Sequence, residues 1–215
     1  PPKRKREARF GELGRLGLAE ALGGVGEEGG GEVGAEELRG NADALRGRAA
    51  HDASLVAAGT WKEFALLGNG ALVEENCAKC PVTTRLLTEV RDIAQMAGFG
   101  SGEALFSTIA PGTHLRPHCG STNARLTCHF GVVVPDGDVK IRCGDEWRKW
   151  VEGDSIVFDD SWEHEVTHDG DSPRCVLLMN FWHPDFPAHL RVPEWRDKAH
   201  NNMLHKYSVP LSRGC

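Results

Sequence analysis

Residues 125–182 read RLTCHFGVVVPDGDVKIRCGDEWRKWVEGDSIVFDDSWEHEVTHDGDSPRCVLLMNFW, and this stretch decides the fold. It divides into short β-type runs at 125–134, 139–143, 147–151, 155–158, 165–168 and 175–182. Pro135-Asp136-Gly137-Asp138, Glu152-Gly153-Asp154 and Asp169-Gly170-Asp171-Ser172-Pro173 punctuate them. Gly, Asp and Pro are turn residues, and many short strands at near-regular spacing predict a sandwich or barrel. A further run at 104–109 precedes them. Helical spacing of Leu86, Leu87, Val90, Ile93 and Ala94 predicts one helix over 82–97. Helices before the strands, rather than between them, argue against a parallel sheet. The fold expected is mainly β, a jelly roll with flanking N-terminal helices.

Working outward, residues 1–50 differ in composition. A basic run to Arg9 leads into glycine-rich acidic sequence through Gly34 that offers little to bury, so 1–34 is expected to be disordered or weakly helical. Lys3-Arg4-Lys5-Arg6 fits a nuclear localisation patch or a solvated tail. Residues 35–50 predict a helix, 61–67 form an aromatic–apolar segment, and 193–205 read as a helix or loose tail. The division expected is a low-complexity segment 1–50, a catalytic domain 51–190 and a tail 191–215. The 215 residues, 40% hydrophobic and 26% charged, are ordinary for a globular domain. A net charge of -6 argues against a nucleic-acid surface as the main function. No apolar run reaches a membrane span and no signal-peptide core follows the basic start. The sequence begins with Pro1 rather than Met and reads as a fragment, which leaves an upstream anchor open. Seven cysteines are too few for a disulfide scaffold, and Cys77 and Cys80 read as separate thiols or a local disulfide.

Six of the ten histidines lie between residues 114 and 183. His118, at the mouth of a strand, and His164, just before another, sit where a jelly roll brings strands together. Imidazole ligates iron, zinc, copper and nickel. Paired histidines in a sheet are more often surface or hydrogen-bonded core groups, and the usual His-x-Asp/Glu of a facial triad is absent, since Gly120 holds the carboxylate position. Arg174, ten residues after His164 at a strand entry, fits either a surface ion pair or the two-pronged cation that the far carboxylate of a bound 2-oxoglutarate would require.

The sequence resembles the aspartyl/asparaginyl β-hydroxylase family. The resemblance is carried by Pro111-Gly112-Thr113-His114, Pro117-His118-Cys119-Gly120-Ser121-Thr122-Asn123, His129-Phe130-Gly131, Lys140-Ile141-Arg142-Cys143, Phe158 through Val166, and Trp182-His183-Pro184. Weaker similarity begins near Gly59-Thr60-Trp61 and includes Glu75-Asn76-Cys77. It implies a double-stranded β-helix and hydroxylation of the β-carbon of Asp or Asn in epidermal growth factor-like domains, with Fe(II), 2-oxoglutarate and O₂. It further implies that His118 and His164 are iron ligands with glycine, here Gly120, where relatives of the wider class place a carboxylate. Arg174 and Ser107 would hold the distal carboxylate of 2-oxoglutarate, and His129 would lie near its keto-acid end. Asp160 is a candidate for ordering an iron-bound water. Where members have a further arginine this sequence has Thr127, with Arg125 on the same strand face if alternation holds. The partner implied is a protein or peptide substrate, and the compartment implied is the endoplasmic reticulum if an anchor lies upstream, otherwise the cytoplasm. The alternatives are the same chemistry on another substrate, or a jelly-roll binding module without activity. His114, His168 and His183 read as structural, while Trp147, Trp150 and Trp162 suit either a groove lining or packing.

Overall fold

The computed structural model describes residues 48–50 and 52–191. Among them, strands form two antiparallel sheets. The 7-stranded sheet runs β1 (Arg48–Ala49), β3 (Trp61–Gly68), β5 (Ala104–Ile109), β12 (Arg174–Trp182), β7 (Arg125–Val133) and β10 (Ser155–Phe158), with β4 (Ala71–Leu72) also paired to β3. The 5-stranded sheet runs β2 (Val56–Ala58), β6 (His114–His118), β11 (His164–Gly170), β8 (Gly137–Cys143) and β9 (Glu146–Lys149). From β5 onward the chain passes from one sheet to the other at every step except the β8–β9 hairpin. That winding makes the double-stranded β-helix that the sequence predicts.

The two sheets bury their faces differently, and the residue patterns follow. Strands β5, β7 and β12 are covered on both faces. On the outer side α1 (Glu74–Cys77), α2 (Pro81–Glu89) and α3 (Arg91–Gly98) complete a core containing Phe64, Leu87, Ile93, Phe106, Cys128, Leu177 and Met179. On the inner side Ile109, Ile141, Trp150, Phe158, Val166 and Val176 pack between the sheets. A strand covered on both faces reads as a continuous apolar run, which is how residues 175–182 look. Strands β8 and β11 alternate buried and more open positions, because only one face is covered.

Two expectations need correction. The helix predicted over 82–97 is two helices, broken at Val90, which is extended (φ -78°, ψ 99°) and serves as both the end of α2 and the cap of α3. The break re-aims the axis so that Leu86 and Leu87 of one helix, and Ile93, Met96 and Ala97 of the other, are all buried. The helix expected over 35–50 gives way at its end to β1, whose backbone groups pair with Lys62 and Glu63 at the edge of β3. Its remainder, together with the readings for 1–34 and 193–205, lies outside the described residues. Among the described residues no helix is long and apolar enough to cross a membrane. Cys77, Cys80, Cys128, Cys143 and Cys175 are buried thiols, so Cys77 and Cys80 are not bridged.

Candidate active site

A cavity of about 260 Å³ opens between the sheets and is lined from both of them. His118 on β6 and His164 on β11 are cross-strand partners, with ring centroids 4.1 Å apart. A bulge makes this meeting. Val166 faces Leu115, so a regular antiparallel register would set Pro117 opposite His164; one extra residue on β6 brings His118 there instead. Each ring is then fixed by its own chain. The Nδ1 of His118 is 2.7 Å from the carbonyl of Arg116, and the Nδ1 of His164 is 2.9 Å from that of Trp162. A carbonyl only accepts, so each Nδ1 carries the proton and donates it. This leaves each Nε2 as the ring nitrogen not used by the chain, the one a metal would take. Burial, and then the neighbouring His118, lowers the pKa of His164 to about 4, which keeps it neutral.

Beside the histidines stands a buried carboxylate, Asp160. Arg125, at the start of β7, donates to its Oδ2 through Nε at 3.0 Å and Nη2 at 2.8 Å, and through Nη1 to the carbonyl of Ser101 at 3.0 Å. Burial pulls the Arg125 pKa down, and the charge and hydrogen bonds of Asp160 more than offset this. The Oδ1 of Asp160 is buried without a hydrogen-bond partner. A Cβ on Gly120 would meet the Asp160 Cγ and Oδ2 at 2.5 Å, and the Gly120 N–H donates to the Asp160 carbonyl at 2.6 Å. The carboxylate of Asp160 therefore occupies the space that a side chain at 120 would need. Among the described residues no group of three or more His, Cys, Asp or Glu side chains is placed to hold a metal ion.

The other pole of the cavity is cationic. Arg174 is 1% exposed; its Nε and Nη1 lack hydrogen-bond partners, and its guanidinium lies 4.5 Å from the Trp150 ring centroid. Burial lowers its pKa to about 10, so it is charged at neutral pH. Ser107, paired with Val176 on the adjacent strand, shares this inner face and accepts from the Trp61 Nε1 at 3.0 Å. His129 stacks on Trp150 and meets Phe158 edge-on, with its Nδ1 unpartnered. Burial and Arg174 hold its pKa well below the usual histidine value, so it is neutral. Thr127 lies between these poles. Its Oγ1 accepts from the buried Asn180 Nδ2 at 2.8 Å, while Asn180 Oδ1 accepts from the Glu103 N–H at 3.0 Å. Alternation along β7 does put Arg125, Thr127 and His129 on the cavity face, but Arg125 is committed to Asp160.

The family model for aspartyl/asparaginyl β-hydroxylases matches residues 34–184. The chain belongs to the aspartyl/asparaginyl β-hydroxylase family. Over 140 residues, 65% of this chain, it is 39% identical to the mouse aspartyl/asparaginyl β-hydroxylase, of which it covers 18%. Over 133 residues, 60% of this chain, it is 40% identical to human aspartate β-hydroxylase domain-containing protein 2, of which it covers 35%. The chain thus spans well under half the length of these curated relatives. Among solved structures, a prolyl-4-hydroxylase from Pseudomonas putida matches at a TM-score of 0.41 and 15% identity, covering 69% of this chain and 87% of that one.

In this aspartyl/asparaginyl β-hydroxylase relative, Ser107, His118, His129, Asp160, His164 and Arg174 all line one cavity. Sequence reasoning missed Arg125 as the partner of Asp160, Asn180 as the partner of Thr127, and the whole of β6. Pro117 was the available signal for β6, since proline inside a strand marks an edge or a bulge. His114, His168 and His183 lie apart from the cavity. His168 is buried and accepts from the Gly170 N–H at 3.1 Å, and His183 accepts from the Asp185 N–H at 3.1 Å. His114 meets Glu165 at 3.2 Å on the outer face of the smaller sheet. There Arg142 bonds both Glu163, at 2.8 Å, and Glu165, the two residues flanking His164. Trp150 packs inside, under Arg174 and His129, whereas Trp147 is exposed beneath Lys140.

Proposed function

We propose that this chain is an Fe(II)- and 2-oxoglutarate-dependent dioxygenase that hydroxylates the β-carbon of Asp or Asn side chains in a protein substrate, releasing succinate and CO₂. What carries the reading is one cavity holding, at one pole, two adjacent imidazoles whose Nδ1 atoms are held by backbone carbonyls and, at the other, a buried guanidinium short of hydrogen-bond acceptors. A dicarboxylate bound at a metal between these poles would answer both needs. His118 and His164 would hold the iron. Arg174 and Ser107 would take the far carboxylate, and neutral His129 would stand beside the keto-acid end without competing as a cation. Bound iron and cosubstrate supply the oxidising chemistry that turns a C–H into a C–OH. Ile141, Phe158 and Val166 keep the inner wall dry. Asp160 offers Oδ1 as an acceptor for a water at the metal.

A second reading is the same chemistry on a different substrate; Thr127, closed onto Asn180 where members carry an arginine, bears instead on how the cosubstrate would be held. One experiment tests both readings. The protein is incubated with Fe(II), 2-oxoglutarate and an epidermal growth factor-like peptide, then succinate and peptide mass are measured. One added oxygen on Asp or Asn, lost in His118→Ala and His164→Ala, is expected. Succinate without that oxygen selects the second reading. No succinate from the folded protein refutes both and leaves a binding module.

A further inference from the structure

We propose that Arg125 is a positioning residue for the metal pole, acting through Asp160 and resting on the function proposed above. An arginine and a carboxylate with no other duty commonly pair fork to fork, using both oxygens. Here Nε and Nη2 converge on Oδ2 alone, and Oδ1 is left buried and unpartnered. A carboxylate oxygen out of water with nothing to accept from is costly unless a proton donor or cation arrives. The donor that fits is a water on a metal held by the adjacent histidines, since Asp160 lies in the field of His164 and lines the same cavity.

Three contacts make Arg125 rigid enough for this duty. Two N–H groups grip Oδ2 and the third anchors on Ser101, so the guanidinium plane is fixed within a buried setting. Gly120 completes the arrangement, because any Cβ there would displace the carboxylate from the position Arg125 gives it. The absent ligand at 120 and the clamp at 125 are thus two halves of one device. Arg125 holds one oxygen so that the other is reserved for the metal's water.

The test compares wild type with Arg125→Gln, Arg125→Lys, Asp160→Asn and the double variant R125Q/D160N. Co(II) is titrated in the presence of 2-oxoglutarate and followed by its visible absorption. Outer partners of this kind are worth about 10-fold or more in metal affinity. R125Q is expected to bind Co(II) roughly 10-fold more weakly, R125K to recover part of the loss, and the double variant to bind no more weakly than D160N alone. That last comparison excludes a merely structural role, whose cost would persist without the carboxylate. Wild-type affinity in folded R125Q, or a full further loss in the double variant, overturns the proposal while leaving the metal site standing. Failure of the wild type to bind Co(II) overturns the functional reading and this proposal together. If R125Q does not fold, Gly120→Ala tests the device from the other side, and unchanged Co(II) affinity in folded G120A overturns it.

Discussion

Replacing Arg174 by Met should move stability and ligand binding in opposite directions. The fall of its pKa from 12.5 to about 10 corresponds to roughly 3 kcal/mol by which burial disfavours the charged guanidinium in the folded chain. The sign follows from linkage. A base with a depressed folded pKa weakens the fold wherever the unfolded chain holds the proton, and at pH 7 both states hold it, so the whole burden is present. The contact with Trp150 returns about 1–2 kcal/mol of this. Met keeps the aliphatic stem and removes the charge, so the ligand-free variant should gain about 1–2 kcal/mol, a rise in Tm of roughly 2–8 °C. Binding should suffer instead. Removing one member of a buried charge pair costs about 2–5 kcal/mol, which weakens 2-oxoglutarate binding roughly 30-fold to several thousand-fold. Thermal melts with and without 2-oxoglutarate read both effects. With Co(II) present throughout, the wild type should melt higher when 2-oxoglutarate is added, and R174M should start as high or higher and respond far less. A ligand-free R174M that melts several degrees below wild type, or that responds equally to 2-oxoglutarate, refutes the reasoning.

Other perturbations report on different parts of the site. Gly120→Asp should not create a third ligand, because its Cβ meets Asp160 at 2.5 Å; a stability loss of about 1–3 kcal/mol with no gain in Co(II) affinity is expected in denaturation and metal titrations. Thr127→Val removes the acceptor for the buried Asn180 amide and should cost about 1–3 kcal/mol by urea unfolding, where a neutral result would show that Asn180 finds another partner. The metal-free protein should lose stability in acid. Its unfolded histidines take up protons near 6.5, whereas folded His164 resists to about 4 and His129 is likewise held low by burial. The stability these neutral rings carry is complete above pH 6.5 and declines as pH falls toward about 4, so a urea midpoint equal at pH 5 and pH 7.5 would count against it.

The fold was legible where one physical signal dominated. Strands β5 and β10 have the predicted limits, because a short, largely apolar run is closed off by turn residues at both ends. Strand β6 was hidden because only Leu115 of its five residues is buried, and two histidines, an arginine and a proline stand where an apolar pattern would have been. The β3–β4 hairpin was readable in principle from Asn69-Gly70, both of which adopt positive φ as a tight turn requires. The single-helix reading failed at Val90 because apolar spacing continues across a break that only backbone angles reveal. At the site, residue types pointed to His118, His164 and Arg174, while the family resemblance pointed to Ser107 and His129 and put Asp160 forward as a candidate. The pairing of Asp160 with Arg125 depends on a separation of 35 residues, which spacing along the chain does not encode.

The clamp of Arg142 on Glu163 and Glu165 bears on how the strand finds its place. His164 stands between Glu163 and Glu165, so a slip of one residue would turn its ring to solvent and bring an acid into the cavity. Hydrogen bonding between the strands would hardly distinguish the two alignments. Arg142 does, because it engages the two acids on either side of His164 only when that ring points inward. These charges on the outer face thereby act as a check on strand alignment, and errors there should surface as misfolded protein.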